Sequence, residues 1–262
     1  MNIVVCIKQV PETTEVKINP ETNTLIREGV SSIINPFDMY AIEEAVRLKE
    51  KYSGKTTVIT MGPPQADDAL REALSLGIDE AIHLTDRAFA GSDTWATSLV
   101  LAKAIEKIKD VDMVLCGKQA SDGDTAQVGP GIATHLGWPQ ATYVRKIDEV
   151  DFDNNSVVCE RLLEEGYEVL KLSFPCLITV VKEINEPRMP SLRGKMRAKK
   201  QNIPAWGIKE LGLKDEDAGL SGSPTQVVKI FSPPPRRMGM IIEGTPPEAV
   251  DKLFSELKKH LT

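Results

Sequence analysis

Histidine, cysteine and aromatic residues are scarce in this chain of 262 residues, which has three His, four Cys and 5% Phe, Trp and Tyr. Cys6, Cys116, Cys159 and Cys176 are far apart, so no CxxC and no zinc or iron–sulfur spacing exists. Three of them stand in apolar, strand-like runs where a reduced, buried thiol is expected, which suits a cytoplasmic protein. His83, His135 and His260 are scattered, and Ser121 has no evident His and Asp partners, so no catalytic residue is assigned. No apolar run approaches the length of a membrane span, and the opening MNIVVCIKQV reads as a strand and not as a secretory leader. The net charge of −6 argues against a nucleic-acid binder dominated by phosphate contacts. A GxGxxG fingerprint is missing, and Gly117-Lys118 is followed by Gln119 where a Walker A loop needs Ser or Thr.

What is present is an alternation of strands and helices. Asn2 to Ile7 is a continuous apolar run, as expected of a central parallel strand. Val16 to Ile18 and Thr24 to Ile26 flank Asn19-Pro20-Glu21-Thr22-Asn23, which predicts a small hairpin. Pro36 is placed to open a helix with Asn35 as its cap. Strands are predicted at Lys55 to Thr60, Asp79 to Leu84 and Met113 to Cys116, with helices over Gln65 to Ser75 and from Ser92 or Asp93 to Lys107. After Trp138-Pro139 the pattern changes to an antiparallel meander, Thr142 to Asp151, Ser156 to Leu163 and Tyr167 to Ser173, then an apolar strand at Leu177 to Val181. The expected fold class is α/β, a parallel-sheet nucleotide-binding (Rossmann-like) domain over residues 1–184 with an antiparallel extension. Residues 185–262 are expected to form a partner-recognition loop and a C-terminal arm, ending in a helix over Pro247 to Leu261.

The stretch Asp112 to Leu136 carries the clearest site signal. A buried strand feeds a loop of small and polar residues and then a helix whose start is thin in side chains. Ser121, Asp122, Asp124 and Thr125 are good helix caps, and exposed N–H groups at a helix start bind anions. In an open α/β sheet such a loop lies at the carboxyl ends of the strands, where ligands sit. Local pattern alone leaves two readings open, a phosphate cradle or a strand–loop–helix unit that binds nothing. The basic run with Arg188, Arg193, Lys195, Arg197, Lys199 and Lys200 is equally open, as a solvated helix or as a partner-docking loop anchored by Leu192. Ser232-Pro233-Pro234-Pro235-Arg236-Arg237 reads either as an extended arm lying along another subunit or as a surface linker.

Four motifs, in order and in register over essentially the whole chain, resemble the beta subunit of electron transfer flavoprotein. They are Asn35-Pro36-Phe37-Asp38 ahead of Glu43 to Lys49, Gly117-Lys118-Gln119-Ala120, Asp122 to Gly129, and Asn185-Glu186-Pro187-Arg188. The resemblance implies a heterodimer with an alpha subunit that holds an FAD, and an adenine nucleotide in the beta subunit. Carried onto this sequence, the nucleotide-binding positions are Cys6, Lys8, Asn35, Pro36, Phe37, Asp38, Met61, Gly117, Asp122, Gly123, Asp124, Thr125, Ala126, Gln127, Val128, Gly129, Pro130, Gly131, Ile132 and Ala133. Leu192 matches the position by which the family docks dehydrogenases.

The family divides by that nucleotide: a structural AMP in the respiratory type, a second FAD in the electron-bifurcating type. Gly123 stands where the respiratory type has a third acidic residue, and Pro130 where it has Gln, so this loop resembles the bifurcating type more closely. That type implies NADH as hydride donor to the FAD held here. Electrons then pass to ferredoxin or flavodoxin and, through the alpha-subunit FAD, to an acyl-CoA dehydrogenase-like partner. A non-bifurcating subunit with AMP and a stand-alone nucleotide-binding sensor are the alternatives.

Overall fold

The computed structural model describes residues 1–12, 17–18, 25–26, 31–229 and 239–259. Its main sheet has nine strands. In chain order they are β1 (Asn2–Cys6), β2 (Lys55–Met61), β3 (Glu80–Leu84), β4 (Met113–Gly117), β5 (Gln140–Asp151), β6 (Ser156–Leu163), β7 (Gly166–Ser173), β8 (Cys176–Val180) and β9 (Ala205–Trp206). Their spatial order is β7-β6-β5-β8-β4-β1-β2-β3-β9. Every neighbouring pair is parallel except within the β5-β6-β7 meander.

The helices are α1 (Pro36–Tyr52), α2 (Asp67–Leu76), α3 (Thr94–Ile108), α4 (Val128–Leu136), α5 (Leu192–Lys200) and α6 (Pro246–Lys258). Strand side chains alternate between the two faces, and both faces are covered. Ile3, Val5, Met113 and Leu115 pack with α1 and α2 residues such as Ala41, Ile42, Leu70 and Leu74. Val4, Cys6, Val114 and Cys116 pack on the other face with Val100, Ala104, Ile132 and Ala133 of α3 and α4. This double burial is why the strands read as unbroken apolar runs. All four cysteines are free and buried, and burial pushes the Cys159 thiol up to about 11 and Cys176 up to about 12.

The chain divides into two units, residues 1–17 with 25–228, and residues 18–24 with 229–262. In the second, α6 opens on a capping box in which Thr245 and Glu248 bond each other's backbone and side chain. Two short strands, Lys17–Ile18 and Leu25–Ile26, form a two-stranded sheet. The expected turn of that hairpin lies outside the described residues, as do the Ser232–Arg237 arm and His260.

The basic run, left open between a solvated helix and a docking loop, is helical: Ser191 accepts the Gly194 N–H at 3.0 Å and starts α5. Arg197 is spent internally, donating to the carbonyls of Leu74 at 2.8 Å and Ile78 at 2.7 Å at the end of α2. The Pro- and Gly-rich stretch beyond 203 contains the edge strand β9, too short to show any periodicity.

Asn185 and Arg188 explain one of the motifs. Asn185 Nδ2 donates to the Tyr40 carbonyl at 3.0 Å and to Glu44 at 2.9 Å. Arg188 forks between Glu43 at 2.8 and 3.0 Å and Glu50 at 2.6 and 3.0 Å. Those bonds hold the Arg188 guanidinium well above its ordinary value, Glu50 first and Glu43 second. The fork fixes the segment entering α5 onto α1. Replacing Arg188 by Ala should cost about 2 kcal/mol in denaturant unfolding, since it strands the buried Glu43. Lys should recover less than half, because an ammonium cannot span both carboxylates.

Candidate functional site

The strand order β3-β2-β1-β4 reverses direction of build at β1, so a crevice opens between the carboxyl ends of β1 and β4. Cys6 ends β1 and stands in register with Cys116 of β4. Around this crevice the chain brings Lys8, the α1 entry Asn35 to Asp38, Met61 at the end of β2, Gly117, and the loop from Lys118 to Gln127.

Asn35 is the hub. It is 1% exposed. Its Nδ2 donates to the Gln119 carbonyl at 2.8 Å and to Asp38 Oδ1 at 2.9 Å, while its Oδ1 accepts the Ser121 N–H at 3.0 Å. Its backbone N–H donates to the Lys8 carbonyl at 2.8 Å. Asp38 completes the frame by accepting the Lys8 N–H at 2.7 Å on Oδ2 and the Gly117 N–H. Gly117 is required here, because a Cβ would run into the Asp38 carboxylate and lie 2.6 Å from the Phe37 carbonyl carbon. Asn35 was expected to cap α1. It precedes the helix, but its side chain makes no cap bond and is spent on the neighbouring loop.

The loop after β4 is built by local bonds. Gly123 and Asp124 N–H groups return to the Ala120 carbonyl, Gln119 Nε2 donates to Asp124, and Lys8 Nζ pairs with Asp122 at 2.6 Å. Asp124 and Ala126 adopt φ of 53° and 54°. Helix α4 then starts at Val128, later than the expected caps at Ser121 to Thr125, and its N-cap residue Gln127 makes no side-chain cap bond. Gln127 Oε1 instead accepts from Thr94 at 2.9 Å. The first turn of α4 therefore has N–H groups with no capping side chain.

The thin start of α4 serves packing as well as access. At Gly129 a Cβ would sit 2.6 Å from Thr179 Cγ2 on β8, whereas a Cβ at Gly123 would meet open space. Ile132 and Ala133 are fully buried in the core behind the crevice, and Pro130 and Gly131 are partly buried. Thr125 is exposed. Lys118 belongs to the Gly117-Lys118-Gln119-Ala120 motif but not to the expected binding positions, and Tyr143 at this edge was not expected at all. Tyr143 sits in a stretch that reads as ordinary strand, and only its backbone angle distinguishes it. His83 is buried against the Gly62 carbonyl and His135 packs edge-on to Trp95, so neither enters the crevice. Two open grooves, of about 420 Å³ beside Arg47 and Tyr52 and about 590 Å³ beside Lys55 and Trp206, lie away from the carboxyl ends of the strands. Neither has a helix N-terminus with an open first turn, so the crevice is the better ligand candidate. Among the described residues no cluster of His, Cys, Asp or Glu is disposed to hold a metal, and no helix is long and apolar enough to cross a membrane.

Burial pushes the Asp38 carboxyl up from 3.8 to about 7, against the lowering pull of Asn35, the two backbone N–H groups and the Lys8 charge. Between about pH 4 and 7 the folded chain then holds a proton that the unfolded chain has lost. Stability should therefore fall as pH rises through that window and level off above about 7, a change on the order of 4 kcal/mol at most. Urea unfolding from pH 4.5 to 8 checks this, and Asp38→Asn should flatten the slope.

A family model described as an electron transfer flavoprotein domain matches residues 22–211. The chain is 54% identical over 258 residues to an electron transfer flavoprotein subunit beta of Thermoanaerobacterium thermosaccharolyticum, covering 98% of each chain. It is 51% identical over 264 residues to the caffeyl-CoA reductase-Etf complex subunit CarD of Acetobacterium woodii, covering 100% of each. It is also 46% identical over 265 residues to protein FixA of Azorhizobium caulinodans, covering 99% of this chain and 94% of the relative.

Proposed function

This chain belongs to the electron transfer flavoprotein family as a beta subunit, the partner of an alpha subunit, and from that premise we propose that it binds an FAD in the crevice between β1 and β4 and works as the bifurcating half of the heterodimer. The FAD would supply two-electron chemistry with NADH and one-electron chemistry with its acceptors. The protein's share is to bind and orient it and to set its potential through hydrogen bonds and charge. The observation that carries this reading is the first turn of α4, which has no capping side chain, after a loop in which a Cβ at Gly123 would meet open space, so N–H donors and room are left for a pyrophosphate. The fit is one of donor chemistry, the backbone N–H groups at the start of α4.

The electron acceptors follow from the same premise. In the bifurcating type, ferredoxin or flavodoxin would receive one electron and an acyl-CoA dehydrogenase-like flavoenzyme, reached through the alpha subunit, would receive the other. A relative named as a subunit of a caffeyl-CoA reductase-Etf complex, similar over the whole chain, supports an acyl-CoA partner. Helix α5 supplies the docking feature. Leu192 is 77% exposed, with Met189 and Met196 also exposed and Arg193, Lys195, Lys199 and Lys200 around them. An apolar anchor in a charged rim suits a complex that forms and releases quickly. In the second unit, Val250, Leu253, Phe254 and Leu257 recur at helical spacing on α6 and are exposed, the pattern of an arm that packs on the alpha subunit.

Identifying the nucleotides released on denaturing the co-expressed heterodimer tests the cofactor. Two FAD per heterodimer are expected, and one FAD with one AMP would make this subunit a structural half of a simple electron carrier. Leu192→Ala should slow electron transfer to the dehydrogenase at least severalfold while leaving reduction by NADH unchanged. An unaltered dehydrogenase rate would remove Leu192 from the docking surface.

A further inference from the structure

Tyr143 is a strand residue with a left-handed backbone. Its φ is 61°, and it lies where β5 slips register against β8 between Ile178 and Val180. Thr179, buried in the sheet, accepts the Tyr143 N–H on Oγ1 at 3.2 Å and pins this bulge. A bulky residue persists at positive φ only where its surroundings over-determine it, and such bulges re-aim side chains beside functional sites. The position is the carboxyl edge of the sheet: Val144 pairs with Val180, and Val180 pairs with Gly117.

The re-aimed ring meets Lys118. Its Nζ stands 5.0 Å from the Tyr143 ring centre and 5.9 Å from that of Phe37. The Lys118 backbone is tethered by its N–H to the Val180 carbonyl at 2.9 Å. Among the described residues its ammonium has no carboxylate partner. Lys8, across the crevice, is by contrast neutralised by Asp122 at 2.6 Å. The carboxyl edge of the sheet thus keeps an oriented cation that has no carboxylate partner among the described residues, in the loop that leads from Gly117 to α4. Because the ammonium covers both rings, what they offer a ligand is the charge they hold and not a stacking face.

We propose that Lys118, aimed by Phe37 and Tyr143, forms a charged wall of the nucleotide crevice and takes the phosphate of the bound nucleotide. Tyr143 is then a positioning residue, acting through Lys118. This rests on the reading that a nucleotide binds in this crevice. It applies to AMP and FAD alike, since both carry an adenosine phosphate.

The test uses the heterodimer stripped of its beta-subunit nucleotide and titrated with AMP at two salt concentrations. Lys118→Gln should weaken AMP about tenfold and flatten the salt dependence, and Lys118→Arg should keep most of the affinity. Glycine adopts positive φ freely. Tyr143→Gly should therefore keep or raise the melting temperature of the stripped heterodimer while AMP binding falls several-fold. Equal AMP affinity and an equal salt slope in Lys118→Gln would overturn the proposal. So would a Tyr143→Gly protein that melts lower but binds AMP as before, because that marks a purely structural tyrosine. If the wild-type heterodimer carries no nucleotide in this subunit and takes up no AMP, the reading of the crevice falls. If wild type binds and Lys118→Gln binds equally, only the charged wall does.

Discussion

The buried amide of Asn35 is the bond on which the crevice depends. Three chain segments that are distant in sequence converge on it: the exit from β1, the entry to α1 and the loop after β4. Each contributes a backbone group that would otherwise lie unpaired near the sheet edge, and an unpaired buried polar group costs about 1–3 kcal/mol. The Asn35 side chain satisfies the Gln119 carbonyl and the Ser121 N–H, its backbone N–H takes the Lys8 carbonyl, and Asp38 takes the N–H groups of Lys8 and Gly117. This divides the expected site into layers. Asn35 and Asp38 are almost wholly buried and hold the frame, whereas Lys8 and Gly123 are exposed.

Helix α1 carries this frame to the rest of the molecule. Its first turn closes the crevice, and its later turns present Glu43, Glu44 and Glu50 to Asn185 and Arg188. Two motifs that look unrelated in sequence are thus the two sides of one contact. The same helix that holds the loop after β4 also holds the segment leading into α5, so the crevice and α5 share one support.

Much of this was legible in the sequence. The continuous apolar runs at Asn2 to Ile7 and Met113 to Cys116 announced strands buried on both faces, and the change of pattern after Trp138-Pro139 located the meander. The loop after β4 showed as a strand–loop–helix unit because small residues cluster there. What the sequence could not show were features set by tertiary geometry. The start of α4 is delayed to Val128 because the loop's acidic side chains bond Lys8 and Gln119 and do not cap the helix. The glycine at 129 reflects the approach of β8, not only of a ligand. Tyr143 is ordinary in sequence and becomes distinctive only through a register slip between two strands. The edge strand β9 is two residues long and leaves no pattern to read.

The most direct measurement is a crystal structure of the co-purified heterodimer at a resolution that resolves the beta-subunit ligand. Phosphate density against the backbone N–H groups of Val128 and Gly129, within the frame of Asn35, Gly117 and Lys118, is the expected result. A nucleotide bound elsewhere on this subunit, with the first turn of α4 facing only solvent or the alpha chain, would contradict the crevice as the site.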